Sequence, residues 1–181
     1  MSANQRQKLP LSIKSQPDDA TCGPTCLQAV YGYHGDVQSL AKVIQRVPAL
    51  PEGGTLGVML ATDALRRGYA ATIHSFNLKV FDPTWFELSS AALIAKLDAQ
   101  QRIRRSPKLR LACAAYIEFL RLGGRIFFEP LSGELIRRHL NRGVPLIAGL
   151  SSSYLYQAPR EHGPEDTPDD LRGNPTGHFV V

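Results

Sequence analysis

Long apolar runs are missing from this chain, and with them the material of a membrane span, which takes about 20 consecutive apolar residues. The opening MSANQRQKLPLSIK is polar and basic with no apolar h-region, so no secretory signal is expected and a reducing cytoplasm is the expected compartment. Cysteine is scarce. Three in 181 residues, an odd number, do not suggest a disulfide framework. Cys22, Cys26 and His34 are followed by no second ligand pair at metal spacing, which argues against a structural zinc site. Basic residues do not interleave with the aromatics, themselves only 8% of the chain, and no nucleic-acid reading motif occurs. A nucleic-acid partner is therefore not expected.

The remaining composition is that of a folded domain. With 43% hydrophobic and 20% charged residues, the chain has the material for one core over 1–181. The formal charge is +5, and much of the positive charge sits between Lys96 and Arg142, including Arg102, Arg104, Arg105, Lys108, Arg110, Arg137 and Arg138. Such a run reads either as a solvated helical face or as a docking surface for an acidic partner.

The most informative stretch is 16–35, QPDDATCGPTCLQAVYGYHG. A polar, turn-rich loop ends at Thr21, a residue suited to cap a helix. Cys26, Leu27, Val30, Tyr31 and His34 then recur at helical spacing, and Gly35 supplies a stop. Cys22 thus falls in the first turn. There the helix dipole favours a thiolate, and unpaired backbone N–H groups can hold an oxyanion. Gly23 would let a substrate backbone approach, and Pro24 is tolerated because its missing N–H has no helical partner there. The alternative for Cys22, a small buried hydrophobe, stays open. Cys26 and Cys113 lie among apolar neighbours and read as core.

These residues resemble a family. Gln16 six positions before Cys22, the Cys22-Gly23 pair opening a helix, and the 177–181 segment GHFVV are similar to the papain-like cysteine peptidases. The closer resemblance is to the bacteriocin-processing, double-glycine-leader peptidases, cysteine peptidase family thirty-nine, and their looser relatives. The resemblance implies an α+β papain-like fold, with a helical first half followed by a mostly antiparallel sheet carrying the histidine. It also implies that Gln16 and the Cys22 N–H form the oxyanion hole. Of the five histidines, only His178 has a glycine before it and an alternating apolar run after it, and it is the expected general base. In the resembled family an aspartate beyond the histidine strand orients that base. Here three residues follow His178, so that aspartate and the later strands are expected to lie beyond Val181. Asn174 is a weak substitute.

Elsewhere, residues 1–10 read as a lead-in and 9–15 as a short strand. Helices are expected over 37–47, from a Thr55 cap to Gly68, and as a two-helix insertion over 89–123. Strands are expected over 69–76, 125–129 and 144–150, with a Ser132-capped helix before the last. His74 and His139 read as packed structural residues, and His162 as exposed. The 151–176 segment reads as a long loop walling the cleft, with Tyr154, Tyr156 and Gly177 as substrate contacts. Its acidic residues Glu161, Glu165, Asp166, Asp169 and Asp170 would favour basic substrate segments.

The expected chemistry is attack by Cys22 on a peptide or isopeptide carbonyl, with His178 taking the thiol proton and returning it to the leaving amine. No metal or organic cofactor is expected, and the partner is a peptide or protein substrate. Transfer of the acyl group to an amine, or peptide binding without turnover, are the alternatives.

Overall fold

The computed structural model describes residues 8–163 and 167–181. Most of the expected lead-in, and Glu165 and Asp166 of the acidic segment, lie outside them.

Helix α1 (Cys22–Tyr33) begins where the sequence pattern places it. Its end is a Schellman closure. Gly35 takes φ +79°, its N–H bonds Gly32 O at 3.0 Å, and Asp36 N–H bonds Tyr31 O at 2.9 Å. Helix α2 (Leu40–Arg46) is capped by Ser39, which accepts from Lys42 N. Helix α3 (Gly57–Arg66) departs from expectation. Its N-cap is Leu56 with no side-chain cap, and Thr55 Oγ1 instead donates to Pro48 O at 2.9 Å. A short hydroxyl bonds whichever carbonyl is nearest, and here that closes the 48–54 loop.

Strand β1 (Thr72–His74) follows, then α4 (Ser90–Ile103) and α5 (Pro107–Arg121), capped by Ser89 and Ser106. These two helices do not stand apart as an appendage. Leu93, Leu97, Ala112, Cys113, Phe119 and Leu120 share one core with Leu27 and Tyr31 of α1, Val43 of α2, Val58 and Leu60 of α3, and Phe81. Strand β2 (Arg125–Phe127), helix α6 (Gly133–Leu140, capped by Ser132), strand β3 (Ala148–Ser151) and the short helix α7 (Ser152–Tyr156) come next. Strands β4 (Glu161–His162), β5 (Thr167–Pro168) and β6 (Gly177–Val180) follow.

The mixture of helix and strand agrees with an α+β class, but the expected antiparallel sheet is not one sheet. The described strands form three two-stranded pieces: β1 parallel to β2, β3 antiparallel to β6, and β4 antiparallel to β5. The strand expected over 9–15 is also missing. That segment bonds only locally, Leu11 N to Leu9 O, and finds no partner strand among the described residues. The expected 151–176 loop is in fact partly regular, with α7, the β4–β5 pair and a bridge from Glu161 to Asn174. Asp169 pins its far end. Its Oδ1 accepts from Leu171 N and Arg172 N at 3.0 and 2.8 Å, and the Arg172 backbone bond holds the carboxyl below its usual range. Among the described residues, no helix is long and apolar enough to cross a membrane.

Three helices meet at one buried acid. Asp63, 5% exposed on α3, accepts from Tyr31 Oη at 2.7 Å and from Arg46 Nε at 3.0 Å. Burial and then Asp63 push the Tyr31 phenol above its ordinary value. Arg67 stacks over the same ring, 5.1 Å from its centroid, and pairs with Asp36. Asp63→Ala leaves the Tyr31 hydroxyl and the Arg46 guanidinium without their acceptor. A loss of about 3 kcal/mol is expected by urea denaturation, in the range for breaking a mostly buried pair. A change below about 0.5 kcal/mol, the scale of an ordinary surface substitution, would show that the network does not anchor the helices.

Candidate functional site

The loop before Cys22 is organised by Asp18, a residue to which the sequence pattern gives no role. Its Oδ1 accepts from Ala20 N at 2.9 Å, an Asx turn. Its carbonyl accepts from Gln16 Nε2 at 2.9 Å and from Thr21 Oγ1 at 3.3 Å. Thr21 therefore occupies the N-cap position of α1 but makes no side-chain cap bond. The Cys22 and Gly23 N–H groups are left without an intrahelical partner, as at any uncapped helix start. No acidic residue sits in that first turn to neutralise the dipole. Cys22 thus opens a helix whose first turn has neither a side-chain cap nor an acid. Gln16 differs from expectation in that one amide hydrogen is already bonded to Asp18.

All three cysteines are free. Cys22 keeps 8% of its surface, against 2% for Cys26 and 0% for Cys113. Cys26 lies deeper on the same helical face, and burial, then the neighbouring Cys22, push its thiol up to about 11. Cys113 is enclosed by the core and accepts from Gln100 Nε2 at 3.3 Å. The zinc alternative fails on distance. His34 is the C-cap of α1, so the 12-residue helix, about 18 Å long, separates it from Cys22.

Strand β6 brings the end of the chain to α1. Cys26 Sγ donates to Phe179 O at 3.4 Å, and the Phe179 ring packs beside Gly23, Gly57 and Gly149. In the β3–β6 ribbon, His178 pairs with Leu150 and Phe179 with Gly149. Successive side chains alternate, so His178 occupies the opposite ribbon face from the Phe179 ring. The Tyr156 ring lies edge-on to it with centroids 6.0 Å apart. Cys22 precedes Cys26 by about one helical turn on the same face, about 6 Å along the axis. Strand β6 therefore reaches α1 one turn from Cys22, with the His178 side chain on the ribbon face away from the Phe179 ring.

Gly23 does not serve substrate access. It is buried, and a Cβ there would lie 2.8 Å from Thr55 Cγ2, 3.1 Å from Phe179 Cδ2 and 3.2 Å from Leu60 Cδ1. The missing side chain admits the protein's own β6 rather than a ligand. Gly177 is open, with nothing within 4 Å of the place a Cβ would take, and Tyr154 and Tyr156 on α7 are 81% and 63% exposed. Asn174 has its backbone paired with Glu161, N to O at 2.8 Å. Phe179 and Asp18 are the residues that sequence reasoning misses. The D-D-A-T turn signals the second, but nothing local signals the first.

No family model, curated protein or solved structure matches the chain at a significant level.

Gly23→Ala tests the contact that seats β6. Overpacking against Thr55, Leu60 and Phe179 is expected to cost about 1–3 kcal/mol, read as a lowered denaturation midpoint. Gly32→Ala, with open space at its Cβ position, provides a control on the same helix and is expected to be neutral or stabilising. Equal responses from the two variants would refute the close approach of β6.

Proposed function

We propose that the chain is a papain-like cysteine hydrolase acting on peptide or isopeptide bonds. The observation that carries this reading is the meeting of the α1 N-terminus and β6. It brings the strand that carries His178 to within one helical turn of Cys22, the most accessible of the three thiols. Cys22 Sγ attacks the carbonyl carbon. Its proton passes to the His178 imidazole and then to the leaving amine, and a thioester links the acyl group to Cys22. Water attacks the thioester, the bond to sulfur breaks, and the acid is released with the thiol restored. The unpaired Cys22 and Gly23 N–H groups face the developing oxyanion, with the remaining Gln16 amide hydrogen as the additional donor. Tyr154, Tyr156 and Gly177 supply an open wall beside His178 for an extended substrate.

The bond from Gln16 to the Asp18 carbonyl supports a second reading, a peptide-binding module with this geometry and no turnover. The two readings differ in the thiol. For the hydrolase, alkylation followed by mass spectrometry at pH 7 should label Cys22 ahead of Cys26 and Cys113. His178→Ala should slow that labelling about tenfold, the change in thiolate fraction for one unit of thiol pKa. Hydroxylamine should then intercept a thioester formed from an activated peptide ester. Cys22 labelling unaffected by His178→Ala, with no hydroxamate formed, would favour the binding module.

A further inference from the structure

Away from Cys22, a cleft of about 320 Å³ opens between β1, β2 and α6, lined by Thr72, His74, Arg125, Glu129, Arg138 and Arg142, with Phe127 and His139 completing the wall. Its size is at the low end for small-molecule sites. Its chemistry is one-sided, because three guanidiniums against one carboxylate leave a formal +2 with both imidazoles neutral. The carboxylate is already engaged. Glu129 Oε1 lies 2.7 Å from Arg138 Nη2 and 2.5 Å from His74 Nδ1, while Arg125 and Arg142, both exposed, form no ion pair among the described residues.

The sequence pattern marks the two histidines as packing residues, and they do pack. The His74 ring stacks on Phe127 and meets His139 edge-on, with centroids 5.5 and 5.1 Å apart. Packing leaves their polarity unanswered, however. Nε2 of His74 and Nε2 of His139 are buried with no hydrogen-bond partner among the described residues, while Nδ1 of His74 faces the Glu129 carboxylate. Buried polar atoms are ordinarily paired, and orphaned ones call for an explanation. Burial, then His74, Arg138 and Arg142, hold His139 below its ordinary value, so it stays neutral in a site rich in fixed cations. Among the described residues, no three His, Cys, Asp or Glu side chains converge as a metal would need.

We propose that this cleft binds a small dianion of the phosphate class, held by the Arg125 and Arg142 guanidiniums and by the imidazoles of His74 and His139. A dianion matches the excess charge. Guanidinium forks suit its several oxygens, and imidazole N–H donors end their isolation on meeting them. The site is independent of the thiol chemistry and stands whether or not Cys22 is a nucleophile.

The test is titration of the full chain with inorganic phosphate and with phenyl phosphate at constant ionic strength, following the His74 and His139 ring signals by NMR. Acetate and chloride serve as controls. Saturable shifts of both rings are expected with phosphate or its ester, with half-saturation raised at least tenfold in Arg125→Ala/Arg142→Ala. Both arginines are exposed, so the double variant should keep the wild-type backbone spectrum. Tighter binding of the ester assigns the site to a phosphate group on a larger molecule, and tighter binding of the free ion assigns it to phosphate itself. Equal half-saturation in the double variant, or equal shifts with acetate, would overturn the proposal. So would rings unmoved by either phosphate.

Discussion

The Asp63 carboxylate is the constraint on which the rest of the architecture leans. A buried carboxylate is tolerated only when its oxygens are satisfied, and here the partners come from Tyr31 on α1 and Arg46 on α2. The three helices are thereby fixed in mutual rotation as well as in contact. Rotation matters most for α1, since it decides which residues of the first turn face β6. The second acid of the region, Asp36, extends the arrangement through Arg67 and Tyr69. Its carboxyl is held below its usual range by the Arg67 hydrogen bond and then by Gln38. A polar pin at the far end of α1 and an apolar seat at its start together orient the helix.

Much of this is legible from local chemistry. Gly35, Gly68, Gly123 and Gly143 read as helix stops, and all four adopt positive φ. Ser132 reads as a cap, and its hydroxyl accepts from Leu135 N at 3.1 Å. The stretch ending at Leu150 and the GHFVV segment both read as strands, and the two pair with Leu150 opposite His178. What local chemistry does not reach are features set by distant or competing partners. Thr21 and Thr55 look like caps, but their hydroxyls bond to Asp18 O and Pro48 O, and the choice depends on loop shape. Gly23 looks like a place for a ligand because no local signal announces that Phe179 fills it. The parallel pairing of β1 with β2 joins segments separated by two helices, beyond the reach of periodicity. The pairing of Cys22 and His178 as a reactive couple remains a proposal.

The basic stretch over 96–142 also resolves into separate local environments. Arg102 pairs with Asp98, Lys108 with Glu52 and Arg138 with Glu129, so three of its eleven basic residues are locally answered. Exposed pairs of this kind add little stability, but they do reduce the uniform positive field that composition suggests. The charge that remains concentrated lies where two arginines border a histidine pair. Net charge is thus a poor guide to this surface, and the placement of its few acids is a better one.

The sulfur-to-carbonyl contact between Cys26 and Phe179 spans 153 residues. On a ribosome adding about 5–20 residues per second, the α1 segment would wait roughly 8–30 s for its partner strand to be made. Contacts of such separation form late, because the intervening chain must be ordered before they can be rewarded. Until then α1 can hold its turn, but Gly23 and Cys26 lack the Phe179 ring and carbonyl that meet them in the folded chain. On the nascent chain the apolar seat beside Gly23 therefore stays unfilled until β6 has been made.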